Sequence, residues 1–189
     1  MKKTKSPPVP APGAVVILAS ADIDRILRRI AHEIIEANPD LEQLALVGIP
    51  SLGVEIAHRL AAYIEQFEGH PVETGVIDVS MHRDDLSIRP RLSLVEPSHL
   101  PEDIEKRTIV LVDDVLYSGR TCRAAMDALS SFGRPARIQC AVLIDRGHRE
   151  LPIRADYVGK NIPTSPGERV FVRLQPADRE SDAVWISKP

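Results

Sequence analysis

Residues 108–129 read TIVLVDDVLYSGRTCRAAMDAL. An apolar run ends in two adjacent carboxylates, Asp113 and Asp114. A turn of small and polar residues follows (Ser118, Gly119, Arg120, Thr121), and then apolar positions at helical spacing. In a strand–turn–helix unit inside an α/β sheet, ligands bind at the carboxyl end of the strand. Backbone amides in such a turn, together with the helix N-terminus, attract an anion. A carboxylate pair accepts hydrogen bonds from both hydroxyls of a vicinal diol. The combination suits a ribose 5-phosphate, with Asp113 and Asp114 on the sugar and Val115, Leu116, Tyr117, Ser118, Gly119, Arg120 and Thr121 around the phosphate.

Three other readings compete for the same residues. A Walker-type loop is excluded because G-x-x-x-x-G-K-[ST] is absent. A Mg²⁺ pocket of the receiver-domain kind requires its acidic pair on the first strand, whereas here it arrives at residue 113. A plain exposed strand end remains open, but it does not account for acid pair, small-residue turn and helix start occurring together.

Around this unit, strands and helices alternate. AVVILAS (14–20) reads as a strand, with Ser20 capping a helix that carries Asp22 and Asp24 in its first turn. Ile23, Ile26, Leu27, Ile30, Ala31, Ile34 and Ile35 form its apolar stripe, and NPD (38–40) ends it. LALVGIP (44–50) is a buried strand, SLG a loop, and a second helix runs to Gly69. VETGVIDVSM (72–81) alternates as a strand, and 82–107 has no clean period and reads as a long functional loop. Further strands are expected at 108–115, 136–147, about 156–160, 169–175 and 183–188, with a helix over 120–132. The alternation implies a parallel sheet with helices on both faces. Residues 1–13 read as a disordered tail and 14–189 as a single domain.

The composition narrows the function classes. A net charge of −3 confines any nucleic-acid binding to a local patch. With 4% aromatic residues, a base-stacking platform for single strands is disfavoured. Cys122 and Cys140 lack metal-site spacing and read as small core residues. No run of about 18 apolar residues is present, so a membrane span is not expected and the cytoplasm is the expected compartment.

IVLVDDVLYSGRT (109–121) resembles the phosphoribosyl pyrophosphate signature of type I phosphoribosyltransferases. RIAHEIIEAN, LVGI, RDDL, DALSSFGRP and above all AVLIDRGHRELPIRADYVGKNIPTS (141–165) are similar to the PyrR family of bacterial pyrimidine-operon attenuation regulators, which are also uracil phosphoribosyltransferases. The resemblance spans roughly residues 14 to 175. It implies a type I phosphoribosyltransferase fold, with a mostly parallel central sheet, helices on both faces and a small hood. The implied reaction is uracil plus phosphoribosyl pyrophosphate giving UMP and pyrophosphate, with Mg²⁺ brought by the substrate rather than by dedicated protein ligands.

The resemblance also implies roles. Asp113, Asp114, Arg83 and Asp84 would be catalytic, the last two on a loop that closes over the site. Ser51, Leu52 and Gly53 would form the pyrophosphate loop. The base would meet a hood segment, 145–163, through Asp145, Tyr157, Val158 and Lys160. A leader-mRNA stem-loop would meet Arg28, Arg29, His32, Arg146, His148, Arg149 and Arg154. UMP or UTP would act as effectors, and the chain would be a homo-oligomer, a dimer or higher.

One loop departs from the pattern. The family usually carries Thr-Arg-Gly after LVGI, preceded by a basic residue, whereas here the chain reads Pro50, Ser51, Leu52, Gly53. Two further outcomes are therefore expected alternatives: a nucleotide-sensing RNA regulator with weak or lost transferase activity, or a salvage transferase for another base without RNA binding.

Overall fold

The computed structural model describes residues 14–50, 52–80, 82, 98–176 and 181–188. The order is β1 (Val15–Ala19), α1 (Ser20–Ala37), β2 (Leu44–Gly48), α2 (Leu52–Glu68), β3 (Glu73–Val76), β4 (Thr108–Leu116), α3 (Arg120–Ser130), β5 (Arg137–Asp145), β6 (Tyr157–Asn161), β7 (Arg169–Arg173) and β8 (Ala183–Ser187). Five strands form a parallel sheet in the order β3-β2-β4-β5-β6. The central strands are near-continuous apolar runs because helices cover both faces; every residue of β2 is buried.

Side-chain alternation divides the core. Leu44, Leu46, Val110, Val112, Ala141 and Leu143 pack with α1 and α2 on one face. Ala45, Val47, Ile109 and Leu111 pack with Ala124, Ala125, Ala128 and Leu129 of α3 on the other. Cys122 and Cys140 are buried free thiols in a smaller cluster with Leu116 and Val142.

Three local expectations change. Ser20 is the first helical residue rather than the cap, and no side chain caps α1. Instead the Asp22 carboxylate accepts the Ala19 N–H at 3.0 Å, the acidic half of a capping box. β3 stops at Val76 rather than 81, because Asp78 turns the chain by accepting both the N–H and the hydroxyl of Ser80. Of the long segment 82–107, the described part pairs His99 with Val76 and makes a 3₁₀ turn at Ile104–Lys106; residues 83–97 lie outside the described ones.

The hood expectation is corrected. Segment 145–163 is the end of β5, an irregular connection and β6, so its strand residues belong to the main sheet. A separate antiparallel sheet, β1-β8-β7, is assembled from the two ends of the described chain. Arg59 of α2 ties this small sheet to the main body: its guanidinium pairs with Glu55 at 2.7 Å and with Asp182 just before β8, and donates to the Gln175 carbonyl.

Candidate active site

After β2 the chain runs through α2 on one face, and after β4 through α3 on the other. The crevice between the carboxyl ends of β2 and β4 is therefore a topological switch point, where open α/β sheets bind ligands. The two connections touch. The Ile49 N–H donates to the Val112 carbonyl at 2.9 Å. Gly53 lies so close to β4 that an added Cβ would stand 2.2 Å from the Val112 carbonyl oxygen and 3.1 Å from the Asp113 Cα. Leu52 is half-buried and packs against the core shared by α1 and α2. Ser51, Arg83 and Asp84 lie outside the described residues.

Asp113 and Asp114 are half-buried at the floor of this crevice. Asp113 accepts the Asp114 N–H at 2.9 Å, and Asp114 accepts the Val115 N–H at 2.9 Å. No Lys, Arg or His pairs with either among the described residues. Burial, and then the neighbouring Asp114 charge, push the Asp113 carboxyl well above the usual carboxylate range. Burial also raises Asp114, partly offset by the hydrogen bonds it accepts. An acid pair this desolvated and without a cation is a poor surface feature and a good acceptor for hydroxyls or a cation brought by a ligand.

The turn after β4 reaches α3 through Gly119, whose φ of +92° favours glycine. The N-terminus of α3 then faces the crevice edge beside the acid pair. Arg120 is paired with Glu150 at 2.7 Å.

The base candidates separate. Tyr157 is buried at the start of β6, opposite Ala141, and its hydroxyl takes a hydrogen bond from Asn38 at 3.1 Å. Through Ala141 it is level with Val112 and Gly48, but its ring turns into the core shared with α1 and α2. Val158, through Val142, is level with Asp113, so β6 begins beside the crevice. Lys160, opposite Ile144, and Asp145 lie toward the carboxyl edge. Lys160 is exposed, whereas the Asp145 carboxylate is engaged by the Gly147 N–H at 2.9 Å and by the Arg149 guanidinium.

The cations expected at RNA are mostly committed inside the protein. Arg28 pairs with Asp24 at 3.0 Å and lies 4.5 Å over the Tyr63 ring, bracing α1 against α2. Arg29 pairs with Glu33 and donates to the carbonyls of Val158 at 3.0 Å and Gly159 at 2.7 Å. His32 is exposed and stacks on Phe67 with ring centres 4.1 Å apart. Arg146 is only 8% exposed; it donates to Thr164 at 3.1 Å and the Glu168 carbonyl at 2.7 Å, and lies 4.3 Å over the Tyr117 ring. Arg149 turns inward, while His148 and Arg154 stay exposed. The Asp145–Arg149 pair lies in a non-helical stretch, so its spacing alone did not announce it.

Among the described residues, no group of three or more His, Cys, Asp or Glu side chains gathers as a metal site, and no helix is long and apolar enough to cross a membrane.

With this geometry in view, comparison with known proteins is specific. The phosphoribosyl transferase domain family matches residues 16–176. The chain is 56% identical over 174 residues to the bifunctional protein PyrR of Roseiflexus sp. (strain RS-1), covering 92% of this chain and 95% of that one. It is 56% identical over 177 residues to the bifunctional protein PyrR of Listeria monocytogenes serotype 4b (strain CLIP80459), covering 92% and 97%. The chain belongs to the PyrR family. Membership assigns it that family's two activities, uracil phosphoribosyltransferase and regulation of pyrimidine-operon transcription by attenuation. Among solved structures, the hypoxanthine phosphoribosyltransferase of Trypanosoma cruzi aligns with a TM-score of 0.68 at 21% identity, covering 92% of this chain and 96% of that one. A hypoxanthine-guanine phosphoribosyltransferase of Bacillus anthracis aligns with a TM-score of 0.69 at 16% identity, covering 93% and 98%. At that identity the likeness concerns the fold: a type I phosphoribosyltransferase.

Proposed function

We propose that phosphoribosyl pyrophosphate and UMP bind in the crevice between β2 and β4, and that this PyrR-family chain favours nucleotide sensing over turnover. The observation that carries the first half is the desolvated pair Asp113–Asp114, with no cation on it among the described residues, beside the glycine turn that opens α3. The carboxylates hold the two ribose hydroxyls, and Val115–Thr121 hold the 5-phosphate. Held geometry and charge stabilisation of the leaving group then suffice for displacement of pyrophosphate by uracil, with no covalent nucleophile.

The phosphoribosyltransferase family uses Mg²⁺ with phosphoribosyl pyrophosphate. The acid pair fits an ion brought by the substrate; Asp113 and Asp114 are the residues that would face it. Such an ion would supply positive charge to offset that of the pyrophosphate leaving group.

The second half follows from the loop at 50–53. Pro50 lacks an N–H, the family's arginine is absent, and Leu52 packs into the core instead of offering a donor. Gly53 and the start of α2 keep some anion affinity. UMP has no pyrophosphate, so its binding does not draw on this loop. Arg83 and Asp84 are assigned to the closing loop by resemblance, and Lys160 to the base side. A calorimetric titration with UMP, set beside an assay of UMP formation from uracil, tests the whole reading: UMP binding with slow turnover is expected, and a chain that neither binds UMP nor uses uracil would overturn it.

For the leader stem-loop, the exposed candidates are His148 and Arg154, with Arg29 and His32 on α1. His148→Ala and Arg154→Ala are each expected to weaken RNA binding. Loss of one phosphate contact lowers the slope of log K against log salt by about one unit. UMP formation should be spared; if it collapses while RNA affinity holds, these residues serve the active site instead. The internal commitment of Arg28, Arg146 and Arg149 leaves RNA contact to the exposed candidates. A salt titration against the operon's own leader measures how many phosphate contacts they make.

The few exposed candidates among the described residues of one copy also support a homo-oligomer that offers RNA two or more equivalent faces. Light scattering at micromolar concentration should give at least a dimer, and a monomer would count against it. The cytoplasm, where nucleotide precursors and nascent transcripts meet, is the compartment this function requires.

A further inference from the structure

An anion cradle requires amides turned inward. The carbonyls on the same peptide units then turn outward and need donors of their own. In the turn after β4, three consecutive carbonyls find them on one segment. The Leu116 carbonyl accepts the Arg146 N–H at 3.1 Å, and the Ser118 carbonyl accepts the N–H groups of Glu150 at 3.0 Å and Leu151 at 3.1 Å. Between them, the Tyr117 carbonyl is met by a side chain, Nη1 of Arg149, at 2.8 Å.

Arg149 is held for this purpose from several sides. Its Nε donates to the Ile153 carbonyl at 2.8 Å, and its other terminal nitrogen pairs with Asp145. The second Asp145 oxygen accepts the Gly147 N–H at 2.9 Å. Gly147 and His148 take positive φ, +76° and +60°, which folds the chain back so that residues 149–151 face the turn. His148 adopts the left-handed region at a steric cost that a residue with a Cβ avoids unless its surroundings impose it.

We infer that Arg149 is a positioning residue of the 5-phosphate loop, kept in register by Asp145, and that this pair governs phosphate affinity rather than base choice or RNA contact. The inference rests on the assignment of Val115–Thr121 to the 5-phosphate. It gives Asp145 a role different from base recognition.

The test compares UMP with uridine, which lacks only the phosphate, by calorimetry on the full chain. Wild type should bind UMP far more tightly. Arg149→Met should weaken UMP about tenfold or more, since a charged donor to the loop is lost. It should leave uridine within about twofold and raise KM for phosphoribosyl pyrophosphate with KM for uracil and kcat little changed. Arg149→Lys, which keeps the charge but not the fork, should recover part of the loss. Asp145→Asn should move the same ratio in the same direction, and it decides the matter if Arg149→Met does not fold. Unchanged UMP affinity in the variants, or equal weakening of UMP and uridine, overturns the inference while leaving the loop assignment standing. A wild type that does not distinguish UMP from uridine overturns the loop assignment and the inference together.

Discussion

Exchange of both Asp113 and Asp114 for asparagine abolishes UMP formation while the protein still unfolds cooperatively, at a temperature no lower than that of wild type. Each carboxylate that accepts from a ribose hydroxyl is worth about 2–3 kcal/mol as a charged acceptor. Losing both therefore costs about 4–6 kcal/mol, or roughly 10³–10⁴ in kcat/KM. The stability half of the expectation comes from the raised carboxyls. A group whose folded pKa lies above its unfolded value contributes stability while protonated, and that contribution is lost as pH rises through the folded value. For this pair the loss begins in the ordinary carboxylate range and is complete at the raised values. Asparagine does not ionise, so the variant escapes it. Its advantage in melting temperature should grow as pH rises from the ordinary carboxylate range through the raised values, at about 2–4 °C for each kcal/mol in a chain of this size. For the same reason wild-type affinity for a ligand that needs the ionised pair should tighten as pH rises through the raised values. A double variant with kcat/KM within tenfold of wild type would remove these residues from the ribose. A melting temperature that falls below wild type as pH rises would contradict the desolvation account.

Leu52→Arg raises kcat/KM for phosphoribosyl pyrophosphate by about 10- to 150-fold, the equivalent of one charge-assisted contact of about 1.5–3 kcal/mol. The position opens α2, beside Gly53, and Gly53 itself is pressed against Val112 and Asp113, so a guanidinium introduced here stands next to the acid pair. The present leucine is half-buried against the core shared by α1 and α2, and its loss costs some packing. A modest fall in melting temperature should therefore accompany the gain in rate. Binding of UMP should stay within about twofold, since the monophosphate has nothing for this loop to grip. The measurement is steady-state kinetics with phosphoribosyl pyrophosphate varied at saturating uracil. If the variant is no faster, or if wild type already turns over at an ordinary median rate of about 10 s⁻¹, the missing arginine is immaterial and the balance between sensing and catalysis must be sought elsewhere, in the segment that carries Arg83 and Asp84.

The strand–turn–helix unit at 108–130 was determined by its own residues. An apolar run, two carboxylates, a glycine turn and a helical stripe are each encoded within a few positions, so the elements expected at 108–115 and 120–132 are found at 108–116 and 120–130. The acid pair and the turn are contiguous in the chain, and their joint chemistry was legible before any fold was known. So was the parallel sheet, because its strands read as continuous apolar runs between helical periods. Tertiary structure decided what depends on distant partners. Val15 and Ile186 meet in one sheet, and no local pattern in either announces it. Tyr157 stands level with the crevice, but the pleat of β6 turns its ring into the core against Asn38, which no local pattern announces. Arg29 spends its donors on carbonyls 129 and 130 residues away. Arg146 lies over a tyrosine of the phosphate turn. A cation's type is written in the sequence, but whether it faces solvent or closes a hydrogen bond inside depends on which carbonyls the fold has left without donors, and that is known only once strands far apart in sequence have paired.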